Sequence, residues 1–399
     1  MWIERQISDE LRKLAGSFPI VALIGPRQVG KTSLLERIFP EYNYVSFDEP
    51  SVAEMAETRP NDFLKESPPP LIIDEIQYAP GLFRHLKAMV DRIGKRGLFI
   101  ITGSQNFLLM QSISDSLAGR VAIIPLLGLS AREWSAIPDI FKSYDWTDFL
   151  WKGSFPALWA DMNDDHVRDR WYQGYIATYL ERDIRNLLNV DSLRDFQRFM
   201  TACAARVAQT LNMSEIGRDV GISAPTARKW ISLLQTSNQI FLLEPYYRSL
   251  GKRIVKSPKL YFTDSGLAAY LLGIQSAEAL WEGISAGAFW ENHVITQWLR
   301  RRDWFEPSTN LWYWRDKNGH EIDLVIERNN RLFPIECKRS EHPDSTALRG
   351  IRKLRKFYGK EMVGQGFIAS TTPAPYDLDE ETTVVNGWKV GEEFRNLLI

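Results

Sequence analysis

The stretch IVALIGPRQVGKTSLLERIF, residues 20–39, decides the fold of the N-terminal part of the chain. Its first five residues are apolar and predict a buried β-strand, and the residues after position 33 continue as a helix. A strand, a glycine-bearing loop and a helix form the setting in which G-x-x-x-x-G-K-[ST] binds phosphate. The two glycines let backbone N–H groups point at phosphates, the lysine neutralises them, and the threonine hydroxyl is placed to hold Mg²⁺. We therefore predict a nucleotide-binding loop made of Gly25, Pro26, Arg27, Gln28, Val29, Gly30, Lys31, Thr32 and Ser33.

A second motif, LIIDE over residues 71–75, supplies the carboxylates that such a loop requires. Asp74 is expected to orient the Mg²⁺ shell. Glu75 follows it directly, as expected of a general base that polarises the attacking water, which separates an ATPase from a kinase-like transferase. The alternative is a strand that merely ends in an acidic turn.

The segment LFIITGSQN predicts another strand that ends in polar residues. These are candidates to touch the γ-phosphate or the lytic water: Ser104, Gln105 and Asn106. Arg120, at the entry to the strand VAIIPL, is either an arginine finger for a neighbouring subunit's nucleotide or an ordinary surface arginine.

The composition narrows the class of protein. The chain has 399 residues, enough for two or three domains. Its 49 basic and 50 acidic residues give a net charge of −1, which excludes a polybasic or disordered protein. Two cysteines, Cys203 and Cys337, exclude a disulfide framework and a Cys-rich zinc site. No apolar run approaches the roughly 18 residues of a membrane span, so we expect an untargeted cytoplasmic protein with no membrane partner.

Residues 200–273 carry nine basic and four acidic residues, a net charge of +5. Here MSEIGRDVGISAPTARKWISLL predicts a helix, a turn and a second helix. Ser214 is expected to be the N-cap of the first helix, and Gly221 lies in the turn. Ser223 is expected to cap the second helix, with Pro225 in the first turn of that helix. Two strands then flank a basic wing with Arg248, Lys252, Arg253 and Lys256. The charge favours DNA binding, but such domains also serve as packing domains or protein docks.

The last segment contains a hairpin whose register can be worked out. If Asn329 and Asn330 form a two-residue turn, Asp323 lies opposite Glu336 on one side of the sheet, and Glu321 lies opposite Lys338 on that same side. Facing carboxylates repel unless a cation lies between them. We expect a Mg²⁺ ion shared by Asp323 and Glu336, with Lys338 positioning water. The alternatives are a solvent-facing charged hairpin and a fold used only for docking.

These motifs resemble those of known families. GPRQVGKT, LIIDE and TGSQN resemble the Walker A, Walker B and sensor-1 segments of AAA+ ATPases, and the whole chain looks like a prokaryotic AAA family with a C-terminal domain of unknown function. The resemblance implies a helical lid with a sensor-2 arginine, for which Arg182 and Arg185 are candidates. Glu291, Asp323 and Glu336-Cys337-Lys338 resemble the PD-(D/E)xK nuclease site, although Ile322 stands where that pattern has proline and Leu354 where one subgroup has glutamine.

We thus expect an α/β protein of four parts: an AAA+ core over residues 1–135, a lid over 136–199, a winged helix-turn-helix over 200–273 and a nuclease-like domain over 274–399. ATP and Mg²⁺ are the expected cofactors, and an arginine finger implies a homo-oligomer. The expected function is an ATPase coupled to DNA binding or processing. The alternatives are a non-cleaving switch that docks DNA or a protein partner, and a transcription regulator.

Overall fold

The computed structural model describes residues 2–103, 113, 116–137, 140, 143–160, 165–180, 193–247 and 257–390. It divides into two compact units. The first contains residues 1–129 with 155–157 and 236–238, and the second contains residues 130–154, 158–235 and 239–399. The predicted division into four parts within and across these units stays a prediction.

A five-stranded parallel sheet forms the centre of the first unit. Its strands are β1 (Ile20–Ile24), β2 (Asn43–Ser46), β3 (Leu71–Asp74), β4 (Phe99–Gly103) and β5 (Val121–Pro125), in the order β2-β3-β4-β1-β5. Every residue of β1, β3 and β4 is buried, as expected of strands that are covered on both faces. The order places the ends of β1, β3 and β4 side by side, where the loop and carboxylate motifs follow.

Helices pack on this sheet and complete its core. They are α1 (Ser8–Ser17), α2 (Lys31–Ile38), α3 (Pro50–Thr58), α4 (Pro60–Glu66) and α5 (Leu82–Ile93), with a 3₁₀ turn at Ile76–Tyr78. Proline occupies the first position of both α3 and α4, where its missing N–H has no helical partner to lose. The α5 side chains Leu82, Phe83 and Leu86 pack in the same buried cluster as residues of β1 and β3.

Short helices come next along the chain: α6 (Ala131–Ser135), α7 (Trp146–Lys152), α8 (Ala157–Ala160) and α9 (Asp165–Tyr175), which continues as a π-helix at Ile176–Leu180. Apart from Ala157, they belong to the second unit. Capping boxes fix the starts of two of them. Ser130 and Glu133 exchange side-chain and backbone hydrogen bonds at α6, and Asp145 and Asp148 do so at α7.

The predicted helix-turn-helix follows as α11 (Met213–Val220) and α12 (Ala224–Thr236), preceded by α10 (Leu193–Ala204). Gly221 adopts a positive φ of 85° in the turn, and the Thr226 N–H donates to Ser223 Oγ at 3.2 Å, so the predicted turn and second cap are confirmed. The prediction for Ser214 is wrong. Asn212 is the N-cap, because its side-chain oxygen accepts the N–H groups of Ser214 and Glu215.

An antiparallel hairpin, β6 (Ile240–Leu243) and β7 (Lys259–Phe262), continues this region. The four basic wing residues fall outside the described part of the chain, as do both sensor-2 candidates. The helices α13 (Ser265–Leu271) and α14 (Ala277–Glu282) then lead to the C-terminal sheet.

The C-terminal sheet is mixed and has six strands in the order β12-β13-β11-β10-β9-β8. They are β8 (Asn310–Arg315), β9 (Glu321–Arg328), β10 (Arg331–Cys337), β11 (Gly366–Ser370), β12 (Tyr376–Asp379) and β13 (Thr382–Asn386). Helices α15 (Ala286–Phe305) and α16 (Leu348–Tyr358) accompany it. Within the described ranges, no helix combines the length and apolar character that crossing a bilayer demands.

The predicted register of the β9–β10 hairpin is confirmed. Asn329 and Asn330 both have positive φ, 51° and 61°, and the strands pair from Arg331 with Arg328 to Ile335 with Leu324. The side predicted to be apolar is buried: Ile322, Leu324, Ile326, Phe333, Ile335 and Cys337 are each at most 9% exposed. The hairpin therefore directs its charged side chains to the opposite side.

Candidate functional site

The loop between β1 and α2 has the geometry of a backbone cradle. Gly25 has a φ of 149°, and a Cβ there would lie 2.1 Å from the carbonyl oxygen of Leu126. Gly30 caps α2 with a φ of 87°, a conformation that glycine adopts at little cost. The first N–H groups of α2 have no acceptor within the helix, as at every helix start. They are therefore directed toward the space that an anion would fill.

Lys31 opens α2 and is buried against this loop. Its Nζ donates to the carbonyl oxygens of Gly25 at 3.1 Å and Pro26 at 2.9 Å. Both acceptors are neutral, and a phosphate oxygen would make a stronger, charge-assisted hydrogen bond with the same ammonium group. The lysine can thus exchange loop carbonyls for phosphate.

Asp74 ends β3 and is surrounded by hydroxyl groups. Thr32 Oγ1 donates to Asp74 Oδ2 at 2.6 Å, Tyr44 OH donates to the same oxygen at 3.0 Å, and the Thr102 hydroxyl donates to Oδ1. Burial, followed by the negative charge of Asp74, raises the pKa of Tyr44. The carboxylate is therefore held in place by donors from α2, β2 and β4.

Glu75 follows in a left-handed conformation, with a φ of 55°. Its N–H donates to Thr102 Oγ1 at 3.3 Å, and the Gln77 amide donates to its carboxylate oxygen Oε2. Glu75 is only 8% exposed. Thr102 thus contacts both members of the acidic pair. The sequence interpretation missed Thr102. Its hydroxyl group ends the otherwise apolar run LFIIT, which could have indicated a polar contact at the end of this strand.

The donor set at this end of the sheet fits a nucleotide with Mg²⁺. The Thr32 hydroxyl and the Asp74 carboxylate are oxygen ligands of the kind that Mg²⁺ accepts, and their oxygens lie 2.6 Å apart. The cradle and Lys31 supply donors for an anion. The arrangement therefore has the parts needed to bind a nucleoside triphosphate and its metal ion.

Two other residues of this unit, Ser104 and Arg120, were also predicted to act on the nucleotide. Ser104, with the rest of its polar segment, lies outside the described residues. Arg120 pairs with Asp91 of α5 through Nε at 2.6 Å and Nη2 at 3.0 Å. The hydrogen bonds that Arg120 donates to the Asp91 carboxylate lower the pKa of Asp91 and raise the pKa of Arg120. The side chain of Arg120 is 33% exposed.

A second group of charged residues lies at the C-terminal sheet. Lys259, the first residue of β7, directs its Nζ to a carboxylate oxygen of Glu291 at 2.7 Å, of Glu321 at 2.5 Å and of Asp323 at 3.4 Å. Its side chain is 3% exposed. Tyr261, two residues along β7, donates its hydroxyl to Glu291 at 2.6 Å. We name Lys259 and these three acidic residues the carboxylate cluster.

Two further charged residues lie beside this cluster. Glu336 is on β10, and Lys338 follows the end of β10. Lys338 Nζ donates to Glu336 Oε1 at 2.6 Å, and the Cys337 N–H donates to Asp323 Oδ2 at 2.9 Å. Burial, reinforced by the charge of Asp323, raises the pKa of Glu291 to about 7 and also raises the pKa of Glu336. Burial lowers the pKa of Lys259, but nearby negative charges outweigh it and the net pKa is raised.

The structure thus brings together the four residues predicted for a nuclease-like site: Glu291, Asp323, Glu336 and Lys338. It adds Lys259, which the sequence interpretation placed only in a strand beside the wing. A charged residue that opens the buried strand KLYF was the available signal. Among the described residues, no group of three or more His, Cys, Asp or Glu side chains is arranged to hold a metal ion.

Comparison with protein families divides the chain in three. An AAA domain matches residues 17–135, and two domains of unknown function match residues 143–278 (DUF8612) and 286–389 (DUF4143). The first match contains the whole phosphate-binding loop and both Asp74 and Glu75. The carboxylate cluster takes Lys259 from the second match and its acidic residues from the third.

Two mycobacterial proteins resemble nearly the whole chain. The uncharacterized proteins Rv2008c of Mycobacterium tuberculosis and Mb2031c of Mycobacterium bovis are each 33% identical over 347 residues, covering 86% of this chain and 76% of theirs.

Solved structures give weaker likenesses. The Walker-type ATPase PABY2304 of Pyrococcus abyssi is 15% identical, with a TM-score of 0.48 and coverage of 68% of this chain and 96% of that one. The RuvB Holliday junction branch migration motor of Thermotoga maritima is 17% identical, with a TM-score of 0.31 and coverage of 60% and 89%. Both TM-scores lie below 0.5, so neither likeness carries a conclusion about this chain.

Proposed function

The chain belongs to the same family as the two mycobacterial proteins, and we propose that its AAA domain hydrolyses Mg²⁺-ATP to switch the state of the regions that follow it. Residues 17–135 match an AAA domain, which implies nucleotide binding. The observation that carries the proposal is the contact between Thr32 and Asp74, beside a buried Glu75. A nucleotide-binding fold without hydrolysis would not need that second carboxylate.

Binding follows from the cradle. Residues 25–33 surround the phosphates with N–H groups, and Lys31 moves its donors from the carbonyl oxygens of the loop to phosphate oxygens. Thr32 and Asp74 would hold Mg²⁺, which neutralises charge on the phosphates. The hydroxyl groups of Tyr44 and Thr102 keep the Asp74 carboxylate oriented.

Hydrolysis needs a base next to the γ-phosphate. In the proposed step, water attacks the γ-phosphorus, the new bond forms to the water oxygen, and the bond to the β–γ bridging oxygen breaks. Glu75 takes the proton from the attacking water. Gln77 and Thr102 hold Glu75 from two sides, so they act as positioning residues. Ser104 is proposed to contact the γ-phosphate or this water.

Arg120 is proposed to complete the site of a neighbouring copy in a homo-oligomer. Its guanidinium is partly exposed, pairs with the exposed Asp91 and donates through Nη1 to the carbonyl oxygen of Ala118. Such a pair contributes little free energy in water, so Arg120 can leave it for a phosphate at low cost. The proposed assembly also explains why a guanidinium is useful at that position.

The regions after the AAA domain are proposed to act on or near DNA through a winged helix. Support comes from α12, on which Arg228, Lys229 and Ser232 are exposed while Trp230 and Ile231 are buried. A helix with this polar face suits contact with the phosphate backbone. One of the nine basic residues counted in this region, Lys259, is neutralised in the carboxylate cluster, so fewer charges remain for DNA.

A second form of the function is a non-cleaving switch, in which the C-terminal domain docks DNA or a protein partner. The cleaving form requires a divalent ion between Asp323 and Glu336, with Glu291 and Lys338 assisting. The position of Lys259 among these acids favours the non-cleaving form. In that form, ATP changes partner binding and no nucleic acid is cut.

The test is hydrolysis of Mg²⁺-ATP, alone and with single- or double-stranded DNA, with the DNA scored for cutting. We expect Lys31→Ala to lose nucleotide binding. Glu75→Gln should retain nucleotide binding and lose hydrolysis by roughly 10²- to 10⁴-fold. Unchanged hydrolysis in Glu75→Gln would overturn the assignment of the base. Cutting that disappears in Glu336→Ala would favour the cleaving form over the switch.

A further inference from the structure

We propose that the ammonium group of Lys259 takes the place of a divalent metal ion in the C-terminal domain and fixes the β6–β7 hairpin to the C-terminal sheet. Two of the carboxylates that a nuclease-like fold would use, Glu291 and Asp323, are, in this chain, partners of a permanent internal cation. The inference does not depend on ATP hydrolysis, because it concerns a different unit of the molecule.

The first support is the position of the ammonium nitrogen. It contacts three carboxylates that come from two different elements, Glu291 of α15 and both Glu321 and Asp323 of β9, at 2.5–3.4 Å. A divalent cation bound by the same carboxylates would have to lie about 2.0–2.6 Å from their oxygens. Two cations that close together repel strongly in a buried site. The ammonium group and a metal ion therefore exclude one another.

The second support is the use of the remaining carboxylate oxygens. Asp323 Oδ1 faces Lys259 and Oδ2 accepts the Cys337 N–H. Glu336 Oε1 accepts from Lys338, which leaves Oε2 as a buried oxygen with no hydrogen-bond partner among the described residues. Of the four oxygens expected to hold the metal ion, three are thus engaged. The residues present do not fit a metal centre while Lys259 stays in place.

The third support is the attachment of the strand that carries Lys259. The Asn292 side chain of α15 makes two hydrogen bonds with the backbone of Phe262, at 2.8 and 3.0 Å. The backbone of Tyr313 on β8 donates to Glu244 O at 3.0 Å and accepts from the Tyr246 N–H at 2.7 Å. Withdrawing Lys259 by moving β7 would break the bonds to Phe262, and moving the β6–β7 hairpin as a whole would also break those of Glu244 and Tyr246. The lysine is therefore anchored in the cluster by its own backbone.

The experiment counts bound Mn²⁺ by electron paramagnetic resonance, without nucleotide. All proteins carry Asp74→Asn, which removes the carboxylate of the phosphate-binding loop and leaves the C-terminal cluster to be measured. We expect the Asp74→Asn protein to bind Mn²⁺ weakly. Adding Lys259→Met should tighten binding by roughly 100-fold, and a further Asp323→Asn should remove that gain.

Two matched variants make the test specific. Lys259→Arg keeps the positive charge and should bind Mn²⁺ as weakly as the parent. Lys338→Met removes the other lysine of the region and should give much less gain than Lys259→Met. An equal gain in Lys338→Met, or no gain in a folded Lys259→Met protein, would overturn the proposal.

The proposal also stays testable if Lys259→Met fails to fold, which circular dichroism would reveal. The Asp74→Asn protein is then compared with Asp74→Asn, Asp323→Asn, both with Lys259 in place. Equal, weak Mn²⁺ binding in the two proteins supports the internal cation. Tight binding that Asp323→Asn removes would show that the cluster accepts a metal ion beside Lys259, and the proposal would be wrong.

Discussion

Lys31 and Lys259 are both buried lysines, but the partners described for their ammonium groups differ in charge. Lys31 donates to two neutral carbonyl oxygens of its own loop. Lys259 makes ion pairs with three carboxylates. A hydrogen bond to a carbonyl is readily exchanged for one to a phosphate, whereas breaking a buried ion pair leaves an uncompensated charge. Residue type and burial therefore do not identify a binding site; the partner of the charge does.

The acidic residues of the two regions differ in the same way. Asp74 accepts from three hydroxyl groups, which are neutral donors that can accommodate a metal ion. Glu291, Glu321 and Asp323 share one ammonium group. The site around Asp74 can take up a cationic ligand, whereas the carboxylates of the cluster already have an internal cation. The contrast predicts that substitutions around the phosphate-binding loop change ATP hydrolysis. Substitutions in the carboxylate cluster should instead change the free energy of unfolding.

The largest expected effect is a loss of hydrolysis on substitution of Arg120. It tests whether the exposed ion pair between Arg120 and Asp91 can open. Arg120→Ala should lower hydrolysis by about 10³-fold or more if Arg120 acts as a finger, while nucleotide binding stays. Asp91→Ala is the matched control, because it breaks the same ion pair and keeps the guanidinium. Both rates are measured by phosphate release. Equal, small effects in the two variants would mean that Arg120 is only a surface partner of Asp91.

The second prediction concerns the stability that the carboxylate cluster contributes. Lys259→Met removes the cation shared by Glu291 and Asp323, whose side chains are each 13% exposed, and by the more exposed Glu321, and should lower the free energy of unfolding by about 3–5 kcal/mol at neutral pH. Lys338→Met should cost at most about 1 kcal/mol, because that lysine is 38% exposed and its partner Glu336 can take up a proton.

Urea unfolding measures both variants, and ATP hydrolysis provides the second reading. We expect Lys259→Met, where folded, to retain hydrolysis within about twofold, since Lys259 belongs to a different unit of the molecule from the residues proposed for the AAA site. A loss of hydrolysis larger than the loss of stability would contradict the separation of the two regions.

The third prediction extends the comparison to another buried base, His293, whose ring stacks on Trp388 with a centroid distance of 4.5 Å. Burial, followed by the charge of Arg300, lowers the pKa of His293 from 6.5 to about 3. Below pH 6.5 the unfolded chain therefore binds a proton that the folded chain does not. The stability linked to His293 is present above pH 6.5 and is lost as the pH falls toward 3.

His293→Phe keeps a stacked ring and removes this proton uptake. Between pH 8 and pH 5, the wild type should lose about 2 kcal/mol more stability than the variant. Urea unfolding at the two pH values measures the difference. Parallel losses in the two proteins would show that His293 does not stay neutral in the fold.

The smallest expected effect is at Thr102, whose hydroxyl contacts both Asp74 and Glu75. Thr102→Val removes a neutral hydrogen bond and should lower hydrolysis about tenfold, corresponding to roughly 1 kcal/mol. Thr102→Ser keeps the hydroxyl and should restore most of the rate. If both variants behave alike, the methyl group matters and the hydroxyl does not position the acidic pair.

The agreement between sequence and structure follows the range over which interactions act. The phosphate-binding loop, the acidic pair and the β9–β10 register depend on neighbouring residues, and each was predictable from spacing. The N-cap at Asn212 was missed because asparagine and serine are both favoured N-caps. The sequence does not show whether Asn212 or Ser214 precedes the first helical turn. Thr102 was missed because its partners, Asp74 and Glu75, lie at the end of the adjacent strand β3 and directly after it.

Sequence alone determined that this chain has a P-loop with its carboxylates and that its β9–β10 hairpin collects Glu321, Asp323, Glu336 and Lys338 on one side. Those conclusions rest on local backbone geometry and on the two-residue period of a strand. Tertiary structure alone decided which cation Glu321 and Asp323 hold. Lys259 is 64 residues before Asp323, and only the packing of β7 against α15 and the C-terminal sheet brings its ammonium group into the cluster. Whether an acidic cluster binds a metal ion or an internal lysine is set by that distant contact.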